Sequence, residues 1–314
     1  MTDRRLEFTE ILRSKGLPMP DAATMAGLHN IVDEGVLGAS NHVALALPLV
    51  ARLAMAKRPT AQQEALELAA FIARTRGAGA PIVANALAWQ TEGADSLGIT
   101  EAADLMNARA AAWSLSAADR RRALVEKATS ALAEVRSPLI YDYSSTVADI
   151  VLALAASSGL DRIVIPESRA VDGGRRYMMA LSALYVPVLF LPDAAVEYAA
   201  SLSDALLLGA ESVTLDGGII NTIGSISSAR AARAHGVPVY GAADLFKVGS
   251  QNARDLPPPA NRSYAFLLKP DERAATDAPE LELVPPDLIS AILTETGLVA
   301  PADLARALVH RKTQ

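Results

Sequence analysis

The first 135 residues carry apolar side chains at helical spacing. Apolar positions recur every three or four residues in Asn41–Ala56 and in Ala61–Arg74, which predicts two amphipathic helices. Ser116 is expected to cap a further helix that continues to Ala131. Strand patterns are nearly absent in this half. We therefore predict a helical domain over residues 1–135.

After Ser137 the pattern changes to short apolar runs that alternate with helical segments. Such alternation is typical of parallel strands that are buried on both faces and joined by helices. The predicted strands are Leu139–Tyr141, Arg162–Ile165, Pro187–Leu191, Ala205–Leu208 and Val237–Tyr240. The predicted helices are Val147–Ala156, Arg175–Ala183, Ala194–Ala200 and Ile226–His235. The fold class is therefore α/β: a helical N-terminal domain precedes a Rossmann-like domain with a doubly wound, mostly parallel sheet over residues 136–314. In such a sheet, ligands should bind beyond the carboxyl ends of the strands.

The last part of the chain has weaker patterns. Leu256–Ala260 and Asp271–Pro279 are rich in proline or polar residues and are expected to form surface loops. Asp287–Leu293 and Ala302–His310 are expected to be the closing helices.

Composition narrows the function classes. The chain contains no cysteine, which excludes disulfides, thiolate metal sites and a cysteine nucleophile. Its formal net charge of −6 argues against nucleic acid as a partner. The charged start and the absence of a long apolar run favour a soluble, cytoplasmic protein without a membrane anchor. We expect neither a metal site nor a cofactor, because the histidines are scattered at positions 29, 42, 235 and 310.

Polar side chains follow the first predicted strand. Asp142 and Tyr143 come directly after it, and Ser144 and Ser145 open the next helix. Two hydroxyls and free backbone N–H groups at a helix N-terminus favour an anion. A simple helix cap would explain the same residues.

Further polar segments follow later strands of the sheet. Arg169 could bind a phosphate while Gly174 lets the backbone approach it, although Arg169 could equally pair with Glu167. Glu211 places a carboxylate at the end of the fourth strand, and Asn221 lies in a glycine-rich turn before a helix. A short turn with an asparagine cap would explain the last segment. Three polar segments at one sheet edge indicate a binding site there.

The ordered segments PESR with GG, LPDAA, LLLGAES, DGGIINTIGS, VPVYGAADLFKV and LTETGLVAP resemble a known family. That family contains the alpha, beta and delta subunits of eukaryotic initiation factor 2B, methylthioribose-1-phosphate isomerase and ribose-1,5-bisphosphate isomerase. The resemblance is strong over residues 139–248. It implies a Rossmann-like C-terminal domain and assembly as a homodimer through that domain.

The resemblance also implies site residues. The isomerases use a Cys and an Asp as acid and base, and these fall at Tyr143 and Glu211, so neither is retained. A His of the isomerases falls at Asp142. The family's binding residues are kept as Arg169, Gly174 and Asn221, but a Lys is replaced by Thr222 and an Arg by Leu37. Asp193 and Lys247 match family positions with structural roles.

These replacements leave two hypotheses open. The first is a diverged isomerase-like enzyme that moves protons on a phosphorylated or polyhydroxylated small molecule, with Glu211 as base, Tyr143 or Asp142 as acid, and Arg169 and Asn221 positioning the ligand. Loss of two cations predicts a less anionic substrate. The second hypothesis is a non-catalytic member that senses a similar ligand in the same cleft.

Overall fold

The computed structural model describes residues 4–33, 39–77 and 79–311, and side chains as far as residue 308. Leu37 therefore lies outside the described residues. The chain divides into two compact units, residues 1–119 and 120–314. This division falls inside a helix, and the domain bounds 1–135 and 136–314 stay a prediction.

The first unit is helical throughout its described part. Its helices are α1 (Arg4–Ser14), α2 (Ala22–Val32), α3 (Ala39–Ala54), α4 (Ala61–Arg76), α5 (Pro81–Thr91) and the start of α6 (Ile99–Ala131). The helices predicted from Asn41 and from Ala61 are confirmed as α3 and α4. The cap predicted at Ser116 is wrong, because α6 is continuous from Ile99 and Ser116 lies in its interior.

A seven-stranded sheet organises the second unit. Its strands, in spatial order, are β12 (Gly297–Val299), β11 (Ala291–Thr294), β7 (Val239–Ala242), β4 (Ala205–Gly209), β1 (Pro138–Tyr141), β2 (Ile163–Pro166) and β3 (Val188–Leu191). All neighbours pair in parallel except β12, which is antiparallel to β11. The predicted fold class, a helical region followed by a mostly parallel sheet, is confirmed.

The order of strands reverses between β1 and β4. From β1 the chain proceeds to β2 and β3 on one side, whereas β4, β7 and β11 build the sheet on the other side. Strands β1 and β4 are direct neighbours, with Tyr141 opposite Leu208. In an open parallel sheet, such a switch point leaves a crevice beyond the carboxyl ends of the two strands. A ligand site is expected there.

Alternating side chains bury both faces of the sheet. In β1, Leu139 and Tyr141 belong to one apolar core and Ile140 belongs to the other. In β4, Leu206 belongs to the first of these cores and Leu207 belongs to the second. This two-sided burial explains why the strands appear as unbroken apolar runs in the sequence.

Helices and two smaller sheets complete the second unit. The helices are α7 (Ser145–Ser157), α8 (Gly173–Ala180), α9 (Val196–Ser201), α10 (Ser225–Ala234) and α11 (Leu304–Arg311). The strands β5 (Ser212–Val213), β6 (Ile219–Thr222) and β10 (Leu281–Val284) form an antiparallel sheet, and β8 (Asn261–Ser263) pairs with β9 (Asp277–Pro279). No helix in the described ranges is long and apolar enough to cross a membrane.

Two predictions for the last part of the chain are wrong. Asp287–Leu293 is not a helix: a 3₁₀ turn at Pro286–Leu288 leads into β11. The four residues of β11 are all buried between β7 and β12, and an apolar run of that length fits either structure until its sheet neighbours are known. The loop predicted at Asp271–Pro279 ends in the short strand β9.

Candidate functional site

Asp142 directly follows β1 at the switch point. Its Oδ2 accepts a hydrogen bond from the Thr222 hydroxyl at 2.6 Å, and its Oδ1 accepts one from the Ser168 hydroxyl at 3.3 Å. Thr222 ends β6 and is only 7% exposed, and Ser168 is fully buried in the loop after β2. The segments of Asp142, Ser168 and Thr222, which are distant in the sequence, therefore meet at one half-buried carboxylate.

The backbone around Asp142 is strained. Within the residues described, the non-glycine residues with positive φ are Asp142 (54°), Ser168 (48°) and Asp172 (55°). Ser168 binds the Asp142 carboxylate, and Asp172 precedes Gly173, where a side chain would collide with that carboxylate. Each left-handed conformation costs about 1–2 kcal/mol, and such costs concentrate at functional sites.

Ser144 and Ser145 follow as the first turn of α7. The Ser144 Oγ accepts the Val147 N–H at 3.4 Å, and the Ser144 N–H donates to the Tyr177 hydroxyl at 3.1 Å. Ser145 is exposed, and its carbonyl oxygen accepts a hydrogen bond from the Arg121 guanidinium at 2.9 Å. Ser144 thus acts as a helix cap, which is the simpler of its two interpretations.

Tyr143 has an aromatic and a cationic neighbour. Its ring centroid lies 5.2 Å from that of Tyr177, and the Arg176 Cζ lies 4.1 Å from the Tyr143 ring on its face. Tyr177 is fully buried, and burial is the main cause that raises the pKa of its hydroxyl, which therefore stays protonated. This packing holds the Tyr143 ring in place as a wall of the sheet edge.

Arg169 is positioned by its backbone. The Asp193 carboxylate accepts the N–H of Ser168 at 2.9 Å and the N–H of Arg169 at 2.8 Å, which supports the structural role expected for Asp193. The Arg169 side chain is 62% exposed, and its guanidinium lies 3.6 Å from the Glu167 carboxylate. The pairing with Glu167 that the sequence left open is therefore present.

Gly174 allows a close backbone approach within the protein. A side chain there would collide with the Pro166 carbonyl and with Glu167, whose carbonyl accepts the Gly174 N–H at 3.0 Å. The position thus needs glycine for the packing of α8 against the end of β2, whereas the sequence suggested room for a ligand.

Glu211 follows β4 on the other side of the switch point. Its backbone N–H donates to the Ile220 carbonyl at 2.9 Å. Its side chain is half-buried and makes no hydrogen bond or ion pair within the part of the chain that the structure describes. The carboxylate is therefore available to a ligand. Lys247 binds the Ala210 carbonyl at 2.6 Å and fixes the same turn, in line with its expected structural role.

Asn221 has an internal partner. It is 7% exposed, and its side-chain amide donates to the Ser225 hydroxyl at 3.0 Å. The Ser225 hydroxyl in turn donates to the Thr222 carbonyl at 2.7 Å. Asn221 thus stabilises the turn before α10. This agrees with the simpler interpretation of the segment, a short turn with an asparagine cap.

Glu282 on β10 is a residue that the sequence pattern did not single out. Its carboxylate accepts the N–H groups of Gly224 and Ile226, at 2.8 and 2.7 Å, and so occupies the N-terminus of α10. Burial raises the pKa of this carboxyl, while the two N–H groups oppose that rise. The N-terminus of α10, where an anion would otherwise be favoured, is therefore filled from within the chain. Only the long-range pairing of β6 with β10 brings Glu282 there.

A second acidic group that the sequence did not indicate lies beyond β11. The Glu295 carboxylate accepts the Leu245 N–H at 3.1 Å, and burial raises its pKa to about 7. Nearby, the Arg120 guanidinium lies 3.7 Å from the Asp244 carboxylate and 4.2 Å from the Phe246 ring centroid. No group of three metal-binding side chains is found in residues 4–33, 39–77 and 79–311.

Comparison with known proteins connects this geometry to a family. The Initiation factor 2 subunit family model matches residues 47–301. Translation initiation factor eIF2B subunit alpha of Dictyostelium discoideum is 29% identical over 54% of this chain and 57% of its own length. Methylthioribose-1-phosphate isomerase of Thermosynechococcus vestitus is 30% identical over 52% of this chain and 49% of its own length. The chain spans about half the length of the curated relatives it matches.

Solved structures share the fold. The Pyrococcus horikoshii translation initiation factor eIF-2B superposes with a TM-score of 0.72 at 19% identity, covering 90% of this chain and 98% of that one. The 5-methylthioribose 1-phosphate isomerase of the same organism gives a TM-score of 0.67 at 20% identity, covering 93% and 88%. At this identity, the likeness establishes the fold and leaves the activity open.

Proposed function

Because the chain belongs to the Initiation factor 2 subunit family, whose members include sugar-phosphate isomerases and initiation factor subunits, we propose that it is a diverged isomerase-like enzyme. Its reaction is an aldose–ketose proton transfer on a phosphorylated sugar or a related polyhydroxylated small molecule. Glu211 is the base and Asp142 is the acid.

The observation that carries this proposal is the placement of the two carboxylates. Asp142 follows β1 and Glu211 follows β4, the two neighbouring strands at which the order of the sheet reverses. A ligand in the switch-point crevice lies between the residues that follow these strands. Proton transfer between adjacent carbons needs an acid and a base within reach of one substrate, and two carboxylates after neighbouring strands support such an arrangement.

The reaction balances with these two groups. In an aldose 1-phosphate, Glu211 removes the proton from C2 and returns it to C1. Asp142 acts in its protonated form: it delivers its proton to the ring oxygen as the bond from C1 to that oxygen breaks, and it recovers a proton from the C2 hydroxyl when the ketone forms. Hydrogen bonds from Thr222 and Ser168 hold the Asp142 carboxyl in one orientation throughout.

The remaining candidate residues support the two carboxylates. Arg169 binds the ligand's anionic group, since its guanidinium is exposed and its contacts are loose, 3.6 Å to the Glu167 carboxylate and 5.9 Å to the Phe266 ring centroid. Tyr143 forms a wall, because its ring is packed between Tyr177 and Arg176. Ser144, Ser145, Gly174 and Asn221 shape the backbone of the site.

A substrate panel tests the proposal. Sugar 1-phosphates are incubated with the wild type, with Glu211→Gln and with Asp142→Asn, and products are followed by NMR. Turnover should be lost in both variants and kept in Glu126→Gln, which removes an exposed carboxylate from α6. Turnover that survives in Glu211→Gln would contradict the role of Glu211 as base.

The second candidate is a non-catalytic, ligand-sensing family member. The packing of Tyr143 against Tyr177 and Arg176 favours it, because an aromatic wall stands at the position where the related isomerases have their Cys. Under this function, a sugar phosphate raises the melting temperature without being converted, and Arg169→Ala cancels the rise. An equal rise in that variant would exclude Arg169 from the site.

We further propose that the chain is a homodimer through its C-terminal part and works in the cytoplasm. The edge strand β3 is flanked by exposed apolar side chains, among them Met179 (76% exposed), Tyr185 (105%) and Tyr198 (57%). An unpaired strand edge with apolar neighbours is well suited to a partner. Light scattering should give twice the chain mass, and Tyr185→Glu should shift it toward the monomer.

A further inference from the structure

A cavity of about 240 Å³ lies in the second unit next to the loop after β3. Its polar lining residues are Tyr141, Asp193, Ser227 and Ser228. Ala170, Val196 and Ile223 supply an aliphatic part. The cavity is large enough for a small organic molecule, and Glu211 and Asp142 are absent from its lining.

The walls of the cavity are fixed before any ligand binds. The Tyr141 hydroxyl donates to the Ile223 carbonyl at 3.1 Å and hydrogen-bonds with the Ser168 side chain, which leaves one lone pair of its oxygen able to accept. Gly224 packs so closely on this hydroxyl that a side chain there would overlap it. Asp193 is held by the two backbone N–H groups after β2. A preformed site avoids the entropic cost of ordering its groups on binding.

The charges around the cavity are negative. Burial is the main cause that raises the pKa of the Tyr141 hydroxyl, and the charges of Asp193, Asp142 and Glu282 raise it further. These three carboxylates therefore all act on the Tyr141 hydroxyl. The described lining contains no Lys, Arg or His. Arg230 compensates Glu282 from outside the lining. The negative field that remains from Asp193 and Asp142 attracts cations and disfavours phosphate.

We propose that this cavity binds the ammonium group of a small organic amine. A primary ammonium has three donors, which match the Asp193 carboxylate, the Tyr141 oxygen and the Ser227 hydroxyl. The aliphatic wall suits the carbon frame of an organic cation better than a bare metal ion. The cavity is separate from the proposed isomerase site, because neither Glu211 nor Asp142 lines it, and Asp142 contributes only its charge.

Matched pairs of amines and their uncharged counterparts test this proposal. Ethanolamine is compared with ethylene glycol, glucosamine with glucose, and putrescine with butane-1,4-diol, each titrated into the wild-type protein by NMR. At least one amine should bind about tenfold more tightly than its counterpart, since a hydrogen bond to a charged group contributes that order of free energy. If no amine exceeds its counterpart, the proposal is overturned.

Variants then locate the binding. Ser227→Leu fills the cavity from an exposed position whose hydroxyl has no described partner, so the fold should survive, and amine binding should be lost. Asp193→Asn should also weaken it. Ser182→Leu, an exposed control elsewhere in this unit, should bind as the wild type does. Unchanged binding in Ser227→Leu would exclude this cavity. Because Glu211→Gln leaves the cavity intact, it should abolish turnover and keep amine binding.

Discussion

The hydrogen bond from Thr222 to Asp142 is the most direct test of how the sheet edge is held together. Thr222→Val removes the hydroxyl that donates at 2.6 Å and keeps the shape of a side chain that is only 7% exposed. Hydrogen bonds to charged groups contribute about 1.5–3 kcal/mol, so the unfolding free energy of the second unit should fall by about 2 kcal/mol. The longer contact from Ser168, at 3.3 Å, does not replace the lost donor.

A double-mutant cycle isolates this contact from other effects. In an Asp142→Ala background the hydroxyl has lost its acceptor, so Thr222→Val should cost little there, and the coupling energy should be about 2 kcal/mol. Thr222→Ser is the matched control, because it keeps the donor and loses one methyl group, at a cost of about 1 kcal/mol. Asp142→Gly should be about 1 kcal/mol more stable than Asp142→Ala, because glycine relieves the strain at φ 54°.

The assay must report on the second unit alone. Both tryptophans, Trp89 and Trp113, lie in residues 1–119, so tryptophan fluorescence follows the other unit. Hydrogen exchange measured by mass spectrometry on peptides from β6 and β10 is therefore the suitable readout. Thr222→Val should exchange about 30-fold faster at these strands, which corresponds to about 2 kcal/mol. A coupling energy near zero would refute the claim that this contact organises the site.

Three other changes test separate parts of the structure. Gly224→Ala should destabilise the second unit by more than about 2 kcal/mol, because Gly224 has a φ of 100° and the new methyl group overlaps the Tyr141 hydroxyl. Thermal unfolding measures this loss of stability. Burial raises the pKa of Glu295 to about 7, so the folded state holds this proton more tightly than the unfolded state does. The unfolding free energy, measured with urea, should therefore fall by at most ~3 kcal/mol as the pH rises from about 4.5 to 7. This fall should be absent in Glu295→Gln. Glu282→Gln weakens the cap of α10 and should raise the exchange rate of its first-turn amides about tenfold, whereas an unchanged rate would contradict the cap.

The sequence predicted most of the sheet because its signals are local. Buried strands such as β4 show as unbroken apolar runs, and the helices between them keep their 3.6-residue period. It predicted less where a neighbour distant in sequence decides the structure. The apolar run in β11 predicts a helix as readily as a strand, since the pairing with β7 that makes it a strand is not encoded in the run itself.

The same reasoning holds for the candidate site. Residues that follow strand ends, such as Asp142 and Glu211, could be found from the sequence, because parallel strands bring their carboxyl ends to one edge. The contact of Thr222 with Asp142 and the occupation of the α10 N-terminus by Glu282 could not, since each depends on segments more than 50 residues apart. The sequence predicts that Asn221 positions a ligand, whereas its side-chain amide donates to the Ser225 hydroxyl within the turn.

Proton exchange with solvent tests the central claim most directly, because it detects removal of the C2 proton even when little product accumulates. The protein is incubated in D₂O with a panel of sugar 1-phosphates, and deuterium at C1 and C2 is measured by NMR. The wild type should incorporate deuterium into at least one sugar, Glu211→Gln should incorporate none, and Glu126→Gln should match the wild type. Absence of deuterium from every sugar with the wild type, or equal incorporation with Glu211→Gln, would contradict the proposal that Glu211 moves this proton.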